Sequence, residues 1–314
     1  MNKFKEKFWL NYRSVIKFIT NDIWRLDFSE LSNFKARLIR HLKVLIITLK
    51  EFGKLRVGRE AVALSYFGIM AAVPLVAVIL AVSNGFGLNQ KLSDMLYSSF
   101  PTSTDLIAAI LGFANNIVVS IDKGAFGWIS FITFVWLVIW LMLNIEGAFN
   151  RIWKVEKSRS LWKRGLVYLT ILILSPFVLL LFLYGVAYYA QFINEIKDNL
   201  GFFSFITTNL YWIIFYGVTI FVLSAMYFVI PHAKIKYSAC LKASMISGFA
   251  FVVIQYLYLE TQLMVTRLSA VYGIFAAIPL LMAWMNLCWF VILFGSDLSY
   301  AFQHVDDYNA EIDK

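Results

Sequence analysis

Six long apolar stretches punctuate the chain: Ala61–Ser83, Gly124–Ala148, Leu166–Ile193, Ser204–Ile230, Ala239–Leu263 and Tyr272–Ala301. Each reaches the roughly 20 mostly apolar residues that a membrane-crossing helix needs. Asp105–Ile121 is shorter, carries Asn115 and Asn116 and has aspartates at both flanks. Its pattern predicts a short interfacial or re-entrant helix rather than a seventh crossing. Before Ala61 the pattern changes to helical periodicity. Residues 8–23 place Phe8, Tyr12, Val15, Ile16, Ile19 and Ile23 on one face, and residues 38–52 repeat this with Leu38, Leu42, Leu45, Leu49 and Phe52. Arg37, Arg40, Lys43, Lys50 and Lys54 decorate the second helix. Apolar and basic residues on one helix predict either a helix lying on an anionic cytoplasmic leaflet or a cap packed under the bundle.

Composition strengthens this reading. Of 314 residues 61% are hydrophobic and only 15% are charged, against about 25% in soluble domains. Mean hydropathy is +0.72. A water-soluble globule of this length cannot hide so much apolar surface. Charge then sets the topology. Fourteen of the 28 Lys and Arg residues lie in 1–60, six in 151–165 and three in 231–242, with Lys314 at the end. Six crossings with both termini cytoplasmic place these 24 inside, as the positive-inside rule requires. A seventh crossing at 105–121 would turn the 151–165 group outward. The expectation is an all-α integral membrane protein with six transmembrane helices, a basic amphipathic extension 1–60, a membrane domain 61–302 and an acidic, mobile cytoplasmic tail 303–314. No cleavable leader is expected, because no compact apolar segment stands near the start.

Little in the sequence promises turnover chemistry. Cys240 and Cys288 sit within apolar stretches, and His41, His232 and His304 are far apart, so neither a disulfide framework, a metal site nor a cofactor is expected. Gly53 to Gly58 has the glycine spacing of a phosphate loop, but Arg59-Glu60 follows where Lys-Ser/Thr is needed. Polar residues at membrane depth are costly and often functional. Glu146 and Asp297 end the second and sixth stretches, both of which run outside to inside, so helix rise puts the acids at similar cytoplasmic depth. With Asn150 and Arg151 they form a candidate polar cavity mouth, in which one acid binds a proton or pairs with Arg151. Glu260, near Arg267 in sequence, marks the outer side. Pro74, Pro176 and Pro279 are candidate helix kinks. Gly68-Ile-Met-Ala-Ala-Val-Pro-Leu and Gly273-Ile-Phe-Ala-Ala-Ile-Pro-Leu agree at six of eight positions. Ala243, Ser244, Ser247 and Gly248 offer small faces for close helix packing.

Four separated segments carry a family resemblance over roughly 50–302. They are Ala63-Leu-Ser-Tyr-Phe with Pro74; Asn144-Ile-Glu-Gly-Ala-Phe-Asn-Arg-Ile-Trp153; Tyr227-Phe-Val-Ile-Pro231 with Lys234; and Tyr272-Gly-Ile-Phe-Ala-Ala with Trp284 and Leu293-Phe-Gly-Ser-Asp297-Leu. In these the chain resembles the YihY/virulence factor BrkB family of bacterial inner-membrane proteins, once labelled ribonuclease BN. Asp297 stands where many relatives are expected to carry Glu. The resemblance implies six membrane helices, bacterial inner-membrane location and a poorly defined role. A nuclease needs clustered carboxylates, a metal or paired histidines, and the +9 net charge follows topology rather than a nucleic-acid face. The expectation is therefore a non-enzyme that contacts membrane lipids, not nucleic acid, and that transports or flips an amphipathic or lipid-linked substrate. The alternative is a non-catalytic scaffold or envelope-homeostasis protein.

Overall fold

The computed structural model describes residues 22–25, 32–99, 125–156, 164–170, 204–268 and 273–308, with isolated positions between 107 and 119 and between 160 and 180. The first amphipathic segment, most of Leu166–Ile193 with Pro176, and the last six residues lie outside these. Among the described residues the chain is helical throughout. The helices are α1 (Asn33–Lys54), α2 (Val57–Gly85), α3 (Asn89–Ser99), α4 (Ala125–Ile152), α5 (Ser204–Val229), α6 (Tyr237–Leu268) and α7 (Gly273–His304). Stretches in α4, α5, α6 and α7 are long and apolar enough to cross a membrane. The first apolar stretch forms the single 29-residue helix α2, which begins at Val57. Pro74 is buried inside it, whereas Pro279 is exposed on α7.

Large apolar side chains face outward as well as inward. Trp128, Ile132, Trp136 and Trp140 stand exposed on α4, and Ile213, Phe221 and Phe249 on α5 and α6. Small polar residues are inside: Ser65, Ser83, Ser224, Ser244, Ser247, Ser296 and Ser299 are all buried. Lipid is as apolar as leucine, so close backbone approach and hydrogen bonds hold such helices together instead. The Ser83, Ser224, Ser244 and Ser247 hydroxyls donate to carbonyls one turn back in their own helices. Ala243, Ser244, Ser247 and Gly248 of α6 do form a buried small face. A Cβ at Gly248 would meet Ile220 and Tyr216 of α5 at 3.4 and 3.5 Å. Helix α7 is the hub, packing on α6, α2, α1 and α4, while α2 packs on α4 and α5 on α6.

The core lies at one end of the bundle. It joins Val44 and Ile47 of α1, Ala61 and Leu64 of α2, Phe149 and Ile152 of α4, Tyr227 of α5, Cys240 and Ala243 of α6, and Leu293 and Leu298 of α7. Helix α1 is thus packed under the bundle, but by a different face from the one its leucines predict. Val44, Ile47, Thr48 and Glu51 are buried, while Leu38, Leu42, Leu45 and Leu49 are exposed. At 100° per residue the leucine stripe lies nearly opposite the buried one. Of the predicted face, Phe52 alone turns inward, edge-on to Phe290 and Phe294 at 4.8 and 5.5 Å. The tail also differs from the mobile segment expected. Its first residues are tied down, because Asp306 pairs with Arg40 and Tyr308 lies against Trp24.

Two helices close with left-handed caps, one at each end of the bundle. After α2, Gly87 takes φ +68°, and the Leu88 amide bonds the Ser83 carbonyl at 2.8 Å, closing a left-handed cap. After α4 the same geometry recurs without glycine. Lys154 takes φ +50°, and the Val155 amide bonds the Asn150 carbonyl at 2.9 Å. Arg56, in the short link between α1 and α2, takes φ +51°. A left-handed non-glycine residue costs about 1–2 kcal/mol.

Candidate functional site

The last turns of α4 carry Glu146 and Asn150, one helical turn apart on one face. Glu146 is 3% exposed, so its charge needs partners. Arg164 supplies one, with Nε 3.2 Å from Oε1. The Tyr168 hydroxyl donates to Oε2, and Asn150 Nδ2 lies 3.4 Å from Oε1. Asn150 passes the connection on, since its Oδ1 accepts the His232 backbone N–H at 2.8 Å. The link after α5 is held again by Gln303 of α7, which accepts from the Lys236 amide and donates to the Lys234 carbonyl at 2.8 and 3.0 Å.

A cavity of about 220 Å³ opens beside this ion pair. Met142, Ile145, Val167, Met226, Val229 and Ile230 give it apolar walls, and Glu146 and Tyr168 stand at its edge. The cavity can hold hydrocarbon while a polar group meets the Glu146–Arg164–Tyr168 cluster.

Glu146 and Asn150 come together as the sequence spacing requires. Arg151 turns away to pair with Glu60 of α2. Asp297, fully buried on α7, belongs to another cluster, where Glu51 of α1 and Lys154 are the charged groups acting on it. Lys154 Nζ lies 3.3 Å from Glu51 Oε2 and 5.3 Å from the Tyr300 ring centre. Burial alone would lower the Lys154 pKa, but Tyr300 and Glu51 outweigh it and hold the ammonium above the ordinary lysine value of 10.5. The four residues expected at one mouth are thus divided among three ionic contacts. A buried acid does pair with a base, but the base is Arg164 rather than Arg151. Glu260 is exposed on α6. Sequence reasoning missed Glu51, Arg164 and Tyr168. The signal for Glu51 was available: Val44, Ile47, Thr48 and Glu51 follow i, i+3, i+4, i+7 spacing, and Glu51 is the one acid in α1.

The segments that carried the family resemblance converge here. Phe149 and Trp153 of α4, Tyr227 of α5 and Leu293 and Leu298 of α7 share one core. The four long apolar helices, the exposed tryptophans of α4 and the ionic contacts gathered at one end define a polytopic α-helical membrane protein. The profile of the family described as virulence factor BrkB matches residues 48–314, and the chain belongs to that family. It is 28% identical over 294 residues to a UPF0761 membrane protein of Acinetobacter baylyi, covering 90% of this chain and 66% of that protein. It is 25% identical over 280 residues to one from Haemophilus influenzae, covering 83% and 98%. A Legionella pneumophila relative is 25% identical over 246 residues, covering 77% and 57%. The chain thus spans just under two thirds of the Acinetobacter protein, little over half of the Legionella one and nearly all of the Haemophilus one. No solved structure matches the chain.

Proposed function

We propose that the chain is a six-span bacterial inner-membrane protein, both termini cytoplasmic, that transports or flips an amphipathic or lipid-linked substrate without chemical turnover. The observation that carries this reading is the apolar cavity ending on the Glu146–Arg164–Tyr168 cluster. Acyl chains fit the walls, and a polar headgroup exchanges into the ionic contacts at the rim. The topology is supported by what gathers at the core end. Basic α1, the 151–164 segment, the link after α5 and the end of α7 meet there through Lys154–Glu51, Arg40–Asp306 and Gln303. An even number of crossings brings both ends of the chain to one side. The exposed stripe of Phe34, Leu38, Leu42, Leu45 and Leu49 beside the α1 lysines and arginines then lies against lipid at the cytoplasmic surface.

Helices α2 and α7 supply a second support. A Cβ at Gly68 would lie 3.6 Å from Trp289 and 4.0 Å from Met285. Pro74 lies six residues past Gly68, and Pro279 six residues before Met285. Helix rise carries each proline about 9 Å further along its helix, so the two prolines, where the similar segments end, stand at matching depth on packed, opposed helices. Opposed, proline-interrupted helices are suited to opening a pathway.

Reconstituted liposomes with a headgroup-labelled fluorescent phospholipid test the reading. Wild type is expected to move label between leaflets, and Met226→Trp, which fills the cavity, to slow it at least tenfold while the protein still folds. A folded wild type that moves neither phospholipid nor lipid-linked sugar favours the scaffold reading. For that reading the ion pairs serve as helix locks, and Glu146→Gln then lowers stability without any transport to lose.

A further inference from the structure

Two carboxylates from different helices are buried at the base of the bundle with one ammonium beside them. Glu51 of α1 is 1% exposed and Asp297 of α7 is 0% exposed. Neither Asp297 oxygen accepts a hydrogen bond among the described residues, and both Glu51 oxygens and Ser296 Oγ are buried in the same condition. Lys154 Nζ at 3.3 Å from Glu51 is the ion-pair partner the pair has. Among nearby cations Arg164 is engaged on Glu146, Arg151 on Glu60 and Arg40 on Asp306, while Lys43 and Lys50 of α1 lie over the Trp24 and Tyr308 rings. Two negative charges and one positive charge leave the cluster one charge short of neutral. A buried carboxylate without donors is expensive, and hard oxygen donors of this kind favour a proton or a hard cation.

We propose that Glu51 and Asp297 together bind one further unit of positive charge, supplied by a sodium ion or a proton, and that this charge clamps α1 onto α7. The site lies where the clamp would act. Phe52, one residue from Glu51, packs on Phe290 and Phe294 of α7. Lys154 is presented from the left-handed cap that ends α4, and its ammonium lies on the Glu51 side of the pair. The groups beside the pair are Lys154 from the end of α4 and Tyr300 from α7, with His304 tilted against Tyr300 at 4.4 Å. The proposal stands independently of the transport reading.

Thermal unfolding of the full chain in lipid nanodiscs, followed by tryptophan fluorescence, tests it. In one arm sodium replaces choline at constant ionic strength and pH 8. In the other the pH is lowered from 8 to 6 in choline alone. Wild type is expected to gain about 2–4 °C per tenfold rise in sodium or proton activity in one of the two arms. Asp297→Asn removes one negative charge and is expected to lose that dependence, with a melting temperature in sodium-free buffer at pH 8 at or above wild type. Asn retains His304, so any pH response of that histidine cancels in the comparison. A sodium response names sodium and a pH response names the proton. A wild type indifferent to both, or an Asp297→Asn protein that keeps the wild-type dependence, overturns the proposal. If that variant does not fold, Glu51→Gln makes the same comparison, and the wild-type titrations still decide.

Discussion

Gly295 on α7 has no room for a side chain. A Cβ there would lie 2.6 Å from Ser247 Cβ of α6 and closer still to the Tyr227 hydroxyl of α5. Tyr227 is wholly buried and bonds Ser247 Oγ at 2.9 Å, so neither neighbour yields easily. Gly295→Ala is therefore expected to destabilise by about 1–3 kcal/mol, read as a lowered melting temperature in detergent. Gly248→Ala, which meets ordinary van der Waals distances, is expected to be near neutral, and equal losses for both would show that the three-helix junction is not the tight point. Lys154 gives a second test at this scale. Its folded pKa is raised above 10.5, so its contribution is complete at neutral pH and is lost only as pH climbs past the lysine range. Lys154→Gly relieves the left-handed strain of about 1 kcal/mol but strips buried Glu51 of its ammonium. The expected net result is a lower melting temperature, and a rise would mean that the backbone strain outweighs the ion pair. At this scale the sequence disclosed Glu146 and Asn150, because a four-residue step on one helix is a local relation. The partners Arg164 and Glu51 were not legible. They arrive from other helices, and which one reaches a given acid depends on rotation about helix axes that no local pattern records.

Among the elements, α1 shows where a hydrophobic stripe misleads. Its leucines predict the inward face in water, but beside a membrane two apolar environments compete for one helix. The bundle takes Val44, Ile47 and Thr48, and the leucine stripe is left outside. β-branched Val44 and Ile47 share the core with the small Ala61 of α2, whereas the longer leucines face outward. Ile47→Ala is expected to cost about 2–4 kcal/mol, and Leu42→Ser and Leu49→Ser to leave stability in detergent within about 0.5 kcal/mol of wild type. Comparable losses at Leu49 and Ile47 would show that the leucine face is the packed one. The long apolar helices α2, α4, α5, α6 and α7 were legible because a run of twenty apolar residues has one cheap solution in a bilayer. Helix α3 was not, since its eleven residues are too short and too polar for that argument.

For the whole molecule, the arrangement of charge is the strongest constraint on orientation. The core end collects α1, the end of α4, the link after α5 and the end of α7. These are the segments in which Lys and Arg concentrate, so a single orientation satisfies the charge bias of all of them at once. Turning the bundle over would place nearly all of that charge outside, at a cost no single residue could offset. Cysteine accessibility checks this on a background from which buried Cys240 and Cys288 have been replaced. Lys234→Cys and Lys35→Cys, both exposed at the core end, are expected to react with a membrane-impermeant maleimide only after the membrane is opened. Asn115→Cys, which is also exposed, is expected to react in intact cells. The reverse pattern would invert the topology. Reaction of only one of the two core-end cysteines in intact cells would separate α1 from the link after α5 across the membrane, which the shared core of α1, α5 and α7 does not allow.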